Sequence, residues 1–197
     1  MATSNQNKDN LRTLILNERG EHSKASHQQK SENIVKQVSQ SPPFKKAKRV
    51  AFYFAVRGEA DPQKLMIENH ADDKTFYLPV LSQNKKQGLL FAPIKQNTQY
   101  KNNKFSIPEP ICDHNALVTG DSLDLVLMPL LGFDKQGNRL GMGGGFYDRT
   151  FSFKRSKKIK PVLMGFAYDF QEIDALKAED WDIPMDYIAT ESKLFII

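Results

Sequence analysis

Cysteine is almost missing from this chain of 197 residues, which contains one, Cys112. A single cysteine cannot form an internal disulfide, and no cluster of cysteine and histidine indicates a zinc site. No apolar run approaches the roughly 20 residues needed to span a bilayer. The polar residues 1–10 also lack the hydrophobic segment of a secretory signal. The sequence therefore predicts a cytoplasmic protein with no membrane partner.

The excess of positive charge is confined to the start of the chain. The formal net charge is +5, and residues 1–50 hold ten Lys or Arg against four Asp or Glu. Such a basic segment can meet phosphate, a polyanion or nucleic acid. The alternative is a set of solvated helical faces whose aliphatic stems cover apolar surface. Charge alone leaves both interpretations open.

Two helices are predicted before the first apolar strand. The first covers residues 7–21, where leucine and isoleucine recur at helical spacing. The second begins at a capping box formed by Ser26 and Gln29. It ends at residues 41–43, Ser-Pro-Pro, because two prolines in succession mark a turn.

Short apolar runs alternate with helical segments along the rest of the chain. Strands are predicted at residues 49–54, 74–81, 89–94, 123–128, 162–167 and 187–190. Helices are predicted at residues 62–69 and 146–153, and a loop at residues 96–104. The alternation predicts the α/β fold class, with a largely parallel sheet covered on both faces. We expect one domain over residues 1–197, with residues 1–7 flexible.

The most informative segment is glycine-rich and covers residues 129–149, PLLGFDKQGNRLGMGGGFYDR. It follows a predicted apolar strand and precedes a predicted helix, and ligands of α/β sheets settle at the carboxyl ends of strands. Successive backbone N–H groups in such a turn can wrap an anion. Arg139 offers a forked cation suited to phosphate, and Asp148 offers a hard oxygen ligand for Mg²⁺.

Glycine content alone leaves the role of this segment open, because a flexible surface turn has the same composition. The segment is not a Walker A loop, since it lacks Gly-Lys-Ser/Thr after four spacer residues. It also lacks the third glycine of the dinucleotide fingerprint, where Phe146 stands.

The order of residues 132–149, G-F-D-x-x-G-x-R-L-G-x-G-x-G-F-Y-D-R, resembles the signature of the 5-formyltetrahydrofolate cyclo-ligase family. The resemblance extends over roughly residues 8–190. Lys8-x-x-x-Arg12 is similar to a basic pair on the first helix of the family, and four-residue spacing does place both side chains on one helical face. Further matching stretches are Gly58-Glu59-Ala60-Asp61, Tyr77-Leu78-Pro79-Val80, residues 105–110 and Asp182-x-x-x-Asp186.

The resemblance implies an enzyme that cyclises 5-formyltetrahydrofolate to 5,10-methenyltetrahydrofolate, with ATP as co-substrate and Mg²⁺ as cofactor. It implies a single three-layer α/β/α domain, with a sheet like that of sugar-phosphate isomerases and CoA-transferases. It also implies a monomer whose partners are ATP and a folate that can carry a polyglutamate tail. It implies no nucleic-acid partner.

The resemblance also implies roles for individual residues. Catalytic roles fall on Arg139, Lys8 and Arg12. ATP-binding roles fall on Lys8, Arg12, Arg139, Leu140, Gly141, Met142, Gly143, Gly144, Gly145, Phe146 and Tyr147. Substrate-binding roles fall on Phe54, Glu59, Phe105, Met142, Gly143, Gly144, Gly145 and Phe146. Metal-binding roles fall on Asp148 and Asp182, with Asp180 and Asp186 as alternatives to Asp182.

Several of these residues also have purely structural interpretations. Phe54 and Phe146 could be core residues, Tyr147 could simply pack its ring, and Glu59 could cap the helix that begins near residue 62. Asp186 could belong to a turn. The cysteine is expected to be an incidental thiol, and surface positions are expected for the four histidines, His22, His27, His70 and His114.

Where this chain has Met142 and Gly144, some members of the family carry Arg or Lys. The loss of those cations leaves more of the phosphate neutralisation to Lys8, Arg12 and Arg139.

Two other functions compete with the cyclo-ligase hypothesis. A nucleic-acid-binding protein would use the basic N-terminal segment and would lose affinity steeply with salt. It is disfavoured because no RNA-binding motif is present and aromatic residues are not interleaved with the basic ones. A sugar-phosphate isomerase or acyltransferase could share the sheet, because fold does not fix function. Neither alternative explains the basic pair together with the glycine-rich segment.

Overall fold

The computed structural model describes residues 2–69, 73–84, 86–155 and 160–197. His70, which the sequence analysis placed on the surface, lies outside the described residues. None of the helices in the described ranges combines the length and the apolar character that crossing a bilayer demands.

Three helices open the chain: α1 (Ala2–Glu21), α2 (Lys24–Gln40) and α3 (Pro42–Lys46). The predicted capping box at Ser26 is wrong. Ser23 is the N-cap of α2, since its backbone is extended and its hydroxyl oxygen accepts the N–H of Ser26. Ser41 ends α2 as predicted and also caps α3, where its hydroxyl accepts the N–H of Phe44.

Two further helices, α4 (Gln63–Glu68) and α5 (Phe146–Thr150), are short. The strands are β1 (Arg49–Ala51), β2 (Thr75–Leu81), β3 (Leu89–Pro93), β4 (Tyr100–Asn102), β5 (Pro108–Pro110), β6 (Leu125–Pro129), β7 (Gly132–Phe133), β8 (Arg139–Leu140), β9 (Val162–Phe166), β10 (Tyr187–Ala189) and β11 (Leu194–Ile196).

Seven of these strands form one sheet in the order β11-β10-β9-β6-β1-β2-β3. The five inner strands are parallel, and β3 and β11 run antiparallel at the two edges. Parallel strands need crossover connections, and helices flank the sheet. The predicted α/β class with a largely parallel sheet is therefore confirmed.

Consecutive residues of the central strands pack on opposite faces of the sheet. Val50 and Leu125 belong to a core cluster that includes the buried face of α2. Ala51 and Val126 belong to a second cluster that is in contact with Phe146 and Tyr147. A central strand buried on both faces reads as a continuous apolar run, which explains why these strands could be predicted.

Two small hairpins lie outside the main sheet. β4 pairs with β5, and β7 pairs with β8, both antiparallel. The loop predicted at residues 96–104 is therefore wrong in part, because residues 100–102 form β4. All three residues of β4 are exposed, so no alternation of polar and apolar residues marked it. The helix predicted at residues 146–153 ends at Thr150, and a 3₁₀ turn, Ser152–Arg155, follows it.

Candidate active site

The glycine-rich turn, residues 141–145, follows the β7–β8 hairpin beyond the carboxyl end of β6. Asp134 fixes this hairpin from a buried position. Its carboxylate accepts the backbone N–H groups of Gln136 and Asn138 at 3.0 Å and that of Leu176 at 2.9 Å. Phe133 of β7 pairs with Arg139 of β8, so the hairpin holds Arg139 next to the start of the turn.

The conformation of the glycine-rich turn depends on glycine at defined positions. Gly143 and Gly145 have φ of 86° and 60°, which L side chains rarely adopt. A Cβ atom on Gly144 would lie 2.8 Å from the ring of Phe146, whereas one on Gly141 would meet nothing within 4 Å. The turn therefore exposes backbone N–H groups that a phosphate could approach closely.

Helix α1 brings the predicted basic pair beside this turn. Arg12 donates through Nε to the carbonyl oxygen of Gly141 at 2.9 Å, and it forms an ion pair with Asp9 at 2.5 Å. Lys8, one turn earlier, lies 3.3 Å from a carboxylate oxygen of Glu179. The structure thus brings together a basic helical face and the glycine-rich turn, to which the family resemblance assigned a shared ATP-binding role.

Arg139 and Asp148 form an ion pair beneath the turn. Nη2 of Arg139 donates to Oδ1 of Asp148 at 2.5 Å, and Nη1 donates to the carbonyl oxygen of Ile183. Oδ1 of Asp148 also accepts the N–H of Ile183 at 3.2 Å. The carboxylate of Asp182, the preceding residue, accepts the N–H of Glu179 at 2.9 Å. Both predicted metal ligands therefore lie at the same segment.

The carboxylates at this segment determine which metal ion could bind there. No group of three or more His, Cys, Asp or Glu within the described ranges is placed to hold a metal ion. Mg²⁺ usually takes one or two carboxylates together with substrate phosphates and waters. The hydrogen bonds that Asp148 accepts from Arg139 and from Ile183 both go to Oδ1. Asp148 and Asp182 therefore fit Mg²⁺ bound together with a nucleotide, whereas Asp186 is tied to Leu163 and Lys154.

Aromatic side chains line the side of the turn that faces the β4–β5 hairpin. Phe105, which is 52% exposed, makes an edge contact with Phe146 at 5.8 Å between ring centroids. Phe54 makes a similar contact with Tyr100 at 5.4 Å. Tyr147 stacks on Phe151 instead, and burial raises the pKa of Tyr147. The hairpin therefore brings Phe105 against Phe146 in a partly open apolar surface, and it contacts Phe54 separately through Tyr100.

Glu59 lies in a loop whose backbone is left-handed at two residues, Arg57 and Gly58. Its carboxylate accepts the N–H of Val56 at 3.1 Å and does not cap α4, where Asp61 accepts the N–H of Gln63 instead. Burial raises the pKa of Glu59, and the nearby charge of Arg19 opposes that shift.

The comparisons with known proteins agree on one family. The sequence model of the "5-formyltetrahydrofolate cyclo-ligase family" matches residues 4–191. The chain belongs to this family. The 5-formyltetrahydrofolate cyclo-ligase of Haemophilus influenzae is 36% identical over 180 residues, which cover 91% of this chain and 95% of the relative. That of Escherichia coli K12 is 38% identical over 154 residues, covering 78% and 84%.

The fold of this cyclo-ligase family member also matches a solved structure. The 5,10-methenyltetrahydrofolate synthetase of Aquifex aeolicus superposes with a TM-score of 0.81 at 30% identity, covering 96% of this chain and 92% of the other. The family resemblance drawn from residues 132–149 is therefore confirmed.

Sequence reasoning missed a buried polar cluster behind Glu59. Arg19 is 2% exposed and donates through Nη2 to the carbonyl oxygen of Leu130 at 3.0 Å. Gln171, which is also buried, donates to the same carbonyl at 2.8 Å. Helical spacing could have found Arg19, because it follows Ile15 by four residues and therefore shares its inward face.

His27, which was predicted on the surface, is only partly exposed. Its ring stacks on Tyr168 at 5.3 Å between centroids, and burial lowers its pKa. Its Nε2 is buried without a hydrogen-bond partner among the described residues. A Cβ atom on Gly58 would lie 2.8 Å from this ring, so His27 packs directly against the loop that carries Glu59.

Proposed function

We propose that this protein converts 5-formyltetrahydrofolate to 5,10-methenyltetrahydrofolate with ATP and Mg²⁺, releasing ADP and phosphate. The observation that carries the proposal is the contact between Arg12 of α1 and Gly141 of the glycine-rich turn. It brings a forked cation to a turn of exposed backbone N–H groups, an arrangement suited to a triphosphate. Membership of the cyclo-ligase family supports the same reaction.

The chemistry of the substrate explains the need for ATP. The N5-formyl group is an amide, so its carbon is a poor electrophile and its oxygen is a poor leaving group. Transfer of the γ-phosphoryl group to the formyl oxygen releases ADP and leaves an iminium-like carbon. N10 then attacks this carbon and loses its proton, and the C–O bond breaks with departure of phosphate, which closes the five-membered ring.

Phosphoryl transfer asks the protein mainly to position groups and to neutralise charge. Lys8, Arg12 and Arg139 would hold the triphosphate together with the N–H groups of residues 141–145. Mg²⁺, held by Asp148 and Asp182, would neutralise phosphate charge when it is bound.

The apolar surface beside the turn would receive the pterin. Phe54, Phe105 and Phe146 would provide flat faces for stacking. Glu59 would accept hydrogen bonds from the pterin ring. The roles of these side chains, a monomeric state, a cytoplasmic location and the absence of nucleic-acid or membrane partners stay predictions.

An absorbance assay tests the proposed reaction. Purified protein should produce the near-ultraviolet absorbance of the methenyl product only when 5-formyltetrahydrofolate, ATP and Mg²⁺ are all present. Arg12→Gln should slow the reaction, whereas Arg49→Gln should not, because Arg49 stacks on Tyr77 at the amino-terminal end of β1. Absence of the chromophore in the complete mixture, or equal rates without ATP, would refute the proposal.

A further inference from the structure

The cations already assigned to the nucleotide site all have acidic partners in this structure. Lys8 lies 3.3 Å from Glu179, Arg12 lies 2.5 Å from Asp9, and Arg139 lies 2.5 Å from Asp148. The carboxylates offset part of the positive charge that a triphosphate would meet. Residues 140–148, which form the turn and its flanks, contain neither Lys nor Arg.

Arg149 is an exposed cation immediately after this segment, and its side chain folds back toward the turn. Its guanidinium carbon lies 5.1 Å from the ring centroid of Phe146. A Cβ atom on Gly145 would lie 2.9 Å from Nη1 of Arg149. The guanidinium group is therefore in contact with the last glycine of the turn.

None of the ion pairs formed within the described part of the chain includes Arg149. The Phe146 ring supports the guanidinium from one side, which leaves the edges of the fork, where its N–H donors lie, available.

Two guanidinium groups thus flank the glycine-rich turn at its two ends. Arg12 contacts Gly141 by a hydrogen bond, and a Cβ atom on Gly143 would lie 3.7 Å from its Nη2. Arg149 occupies the corresponding place at Gly145. An anion cradled by the N–H groups of the turn would lie within reach of both forks.

We propose that Arg149 is a further phosphate-binding residue, which contacts the nucleotide triphosphate from the side of the turn opposite to Arg12. The inference rests on the proposed function, because it presupposes a nucleotide at the turn. It assigns to a residue of α5 the positive charge that the turn itself lacks.

The competing role for Arg149 is to hold the Phe146 ring in place for the folate. Charge and shape make different predictions. If Arg149 binds phosphate, lysine at this position should partly preserve nucleotide binding, because it keeps the charge without the fork, and glutamine should not. A residue that only supports the ring should change the KM for the folate and leave nucleotide binding unaltered.

The experiment is calorimetric titration of a non-hydrolysable ATP analogue with Mg²⁺ into four full-length proteins: wild type, Arg149→Gln, Arg149→Lys and Arg49→Gln. The last is a matched control, because Arg49 also stacks on an aromatic ring, at 5.3 Å over Tyr77. Arg149→Gln should weaken nucleotide binding about tenfold, as expected for one charge-assisted contact. Arg149→Lys should weaken it less, and Arg49→Gln should match wild type.

The outcomes separate this inference from the proposed function. If wild type binds the nucleotide and Arg149→Gln binds it equally well, Arg149 is not a phosphate ligand and the reaction assignment stands. An effect confined to the KM for 5-formyltetrahydrofolate also overturns the inference. If wild type itself binds no nucleotide, the ATP dependence of the proposed function fails, and the inference fails with it. Raised salt should shrink the difference between wild type and Arg149→Gln.

Discussion

The guanidinium group of Arg139 joins three parts of the chain. Its side chain is only 7% exposed, and it donates to Asp148 on α5 and to the carbonyl oxygen of Ile183 before β10. The backbone of Arg139 itself belongs to the β7–β8 hairpin. A planar fork can serve both acceptors at once, whereas a lysine offers a single ammonium group.

Arg139→Lys should therefore reduce catalysis although it conserves charge. We expect kcat/KM to fall on the order of 10²-fold, as for loss of a preorganised charge partner. The Mg²⁺ concentration needed for half-maximal rate should rise, because Asp148 loses the contact that orients it. Steady-state rates across a Mg²⁺ series would measure both effects, with Arg49→Lys as the control. A variant at nearly wild-type rate would show that the fork is not needed.

At the residue scale, sequence found the side chains that carry a motif and missed those that need a tertiary partner. Arg12 and Arg139 could be singled out, because Arg12 follows Lys8 by four residues and Arg139 lies just before the glycine-rich turn. Asp134 could not, since its burial depends on the N–H of Leu176, which is distant in sequence. Arg19 was missed although its four-residue spacing from Ile15 places it on the inward face of α1. Asp148 was predicted as a metal ligand without any sign that Arg139 would also hold it.

At the scale of elements, two glycines of the glycine-rich turn differ in their surroundings: Gly144 lies against an aromatic ring, and Gly141 does not. A Cβ atom on Gly144 would lie 2.8 Å from Cε2 of Phe146, and one on Gly141 would meet nothing within 4 Å. The two positions therefore form a natural pair for separating an effect on the predicted pterin-binding side from an effect on the backbone of the turn.

Gly144→Ala should displace the Phe146 ring and raise the KM for 5-formyltetrahydrofolate severalfold. Phe146 is partly exposed and can move, so the free energy of unfolding should change by less than about 1 kcal/mol. Gly141→Ala adds the same methyl group without this clash and should leave that KM unaltered. Equal increases in the two variants would indicate that backbone freedom, and not the ring, is responsible.

The end of β1 shows that a hydrophobic pattern predicts burial but does not predict where the hydrogen bonds of a strand end. The strand predicted at residues 49–54 ends at Ala51, yet Phe52 and Tyr53 are each only 3% exposed. Tyr53 leaves the sheet and donates its hydroxyl to the carbonyl oxygen of Ala60 at 2.6 Å. The pattern predicted burial correctly, but burial continues past the last strand pair of β1.

At the scale of the whole molecule, Arg19 ties α1 to the sheet and to the loop of Glu59. Its Nη2 donates to the carbonyl oxygen of Leu130 just beyond β6. Burial raises the pKa of Glu59, and the positive charge of Arg19 opposes that rise. Burial in turn lowers the pKa of Arg19 itself. Because α1 also carries Lys8 and Arg12, the position of the predicted phosphate-binding face depends on this anchor.

Arg19→Met should lower the free energy of unfolding by about 3 kcal/mol, because it removes one member of a buried charged cluster. Glu59→Gln removes the other charge, so the double variant should lose less than the sum of the two single losses. Urea unfolding of the four proteins would give the coupling free energy. Additive losses would mean that the two charges do not interact.

The fold class was predictable because the central strands are buried on both faces and so stand out as apolar runs. The joining of distant segments was not, since nothing local in the sequence marks Lys8 as the partner of Glu179.

That pair is separated by 171 positions along the chain. Ribosomes build a polypeptide from its amino end, so the basic face of α1 emerges long before the acidic residue it meets. Every strand of the main sheet except β10 and β11 precedes Glu179. The strands from β1 to β9 can therefore be synthesised before the acidic partner of Lys8 at the predicted nucleotide site.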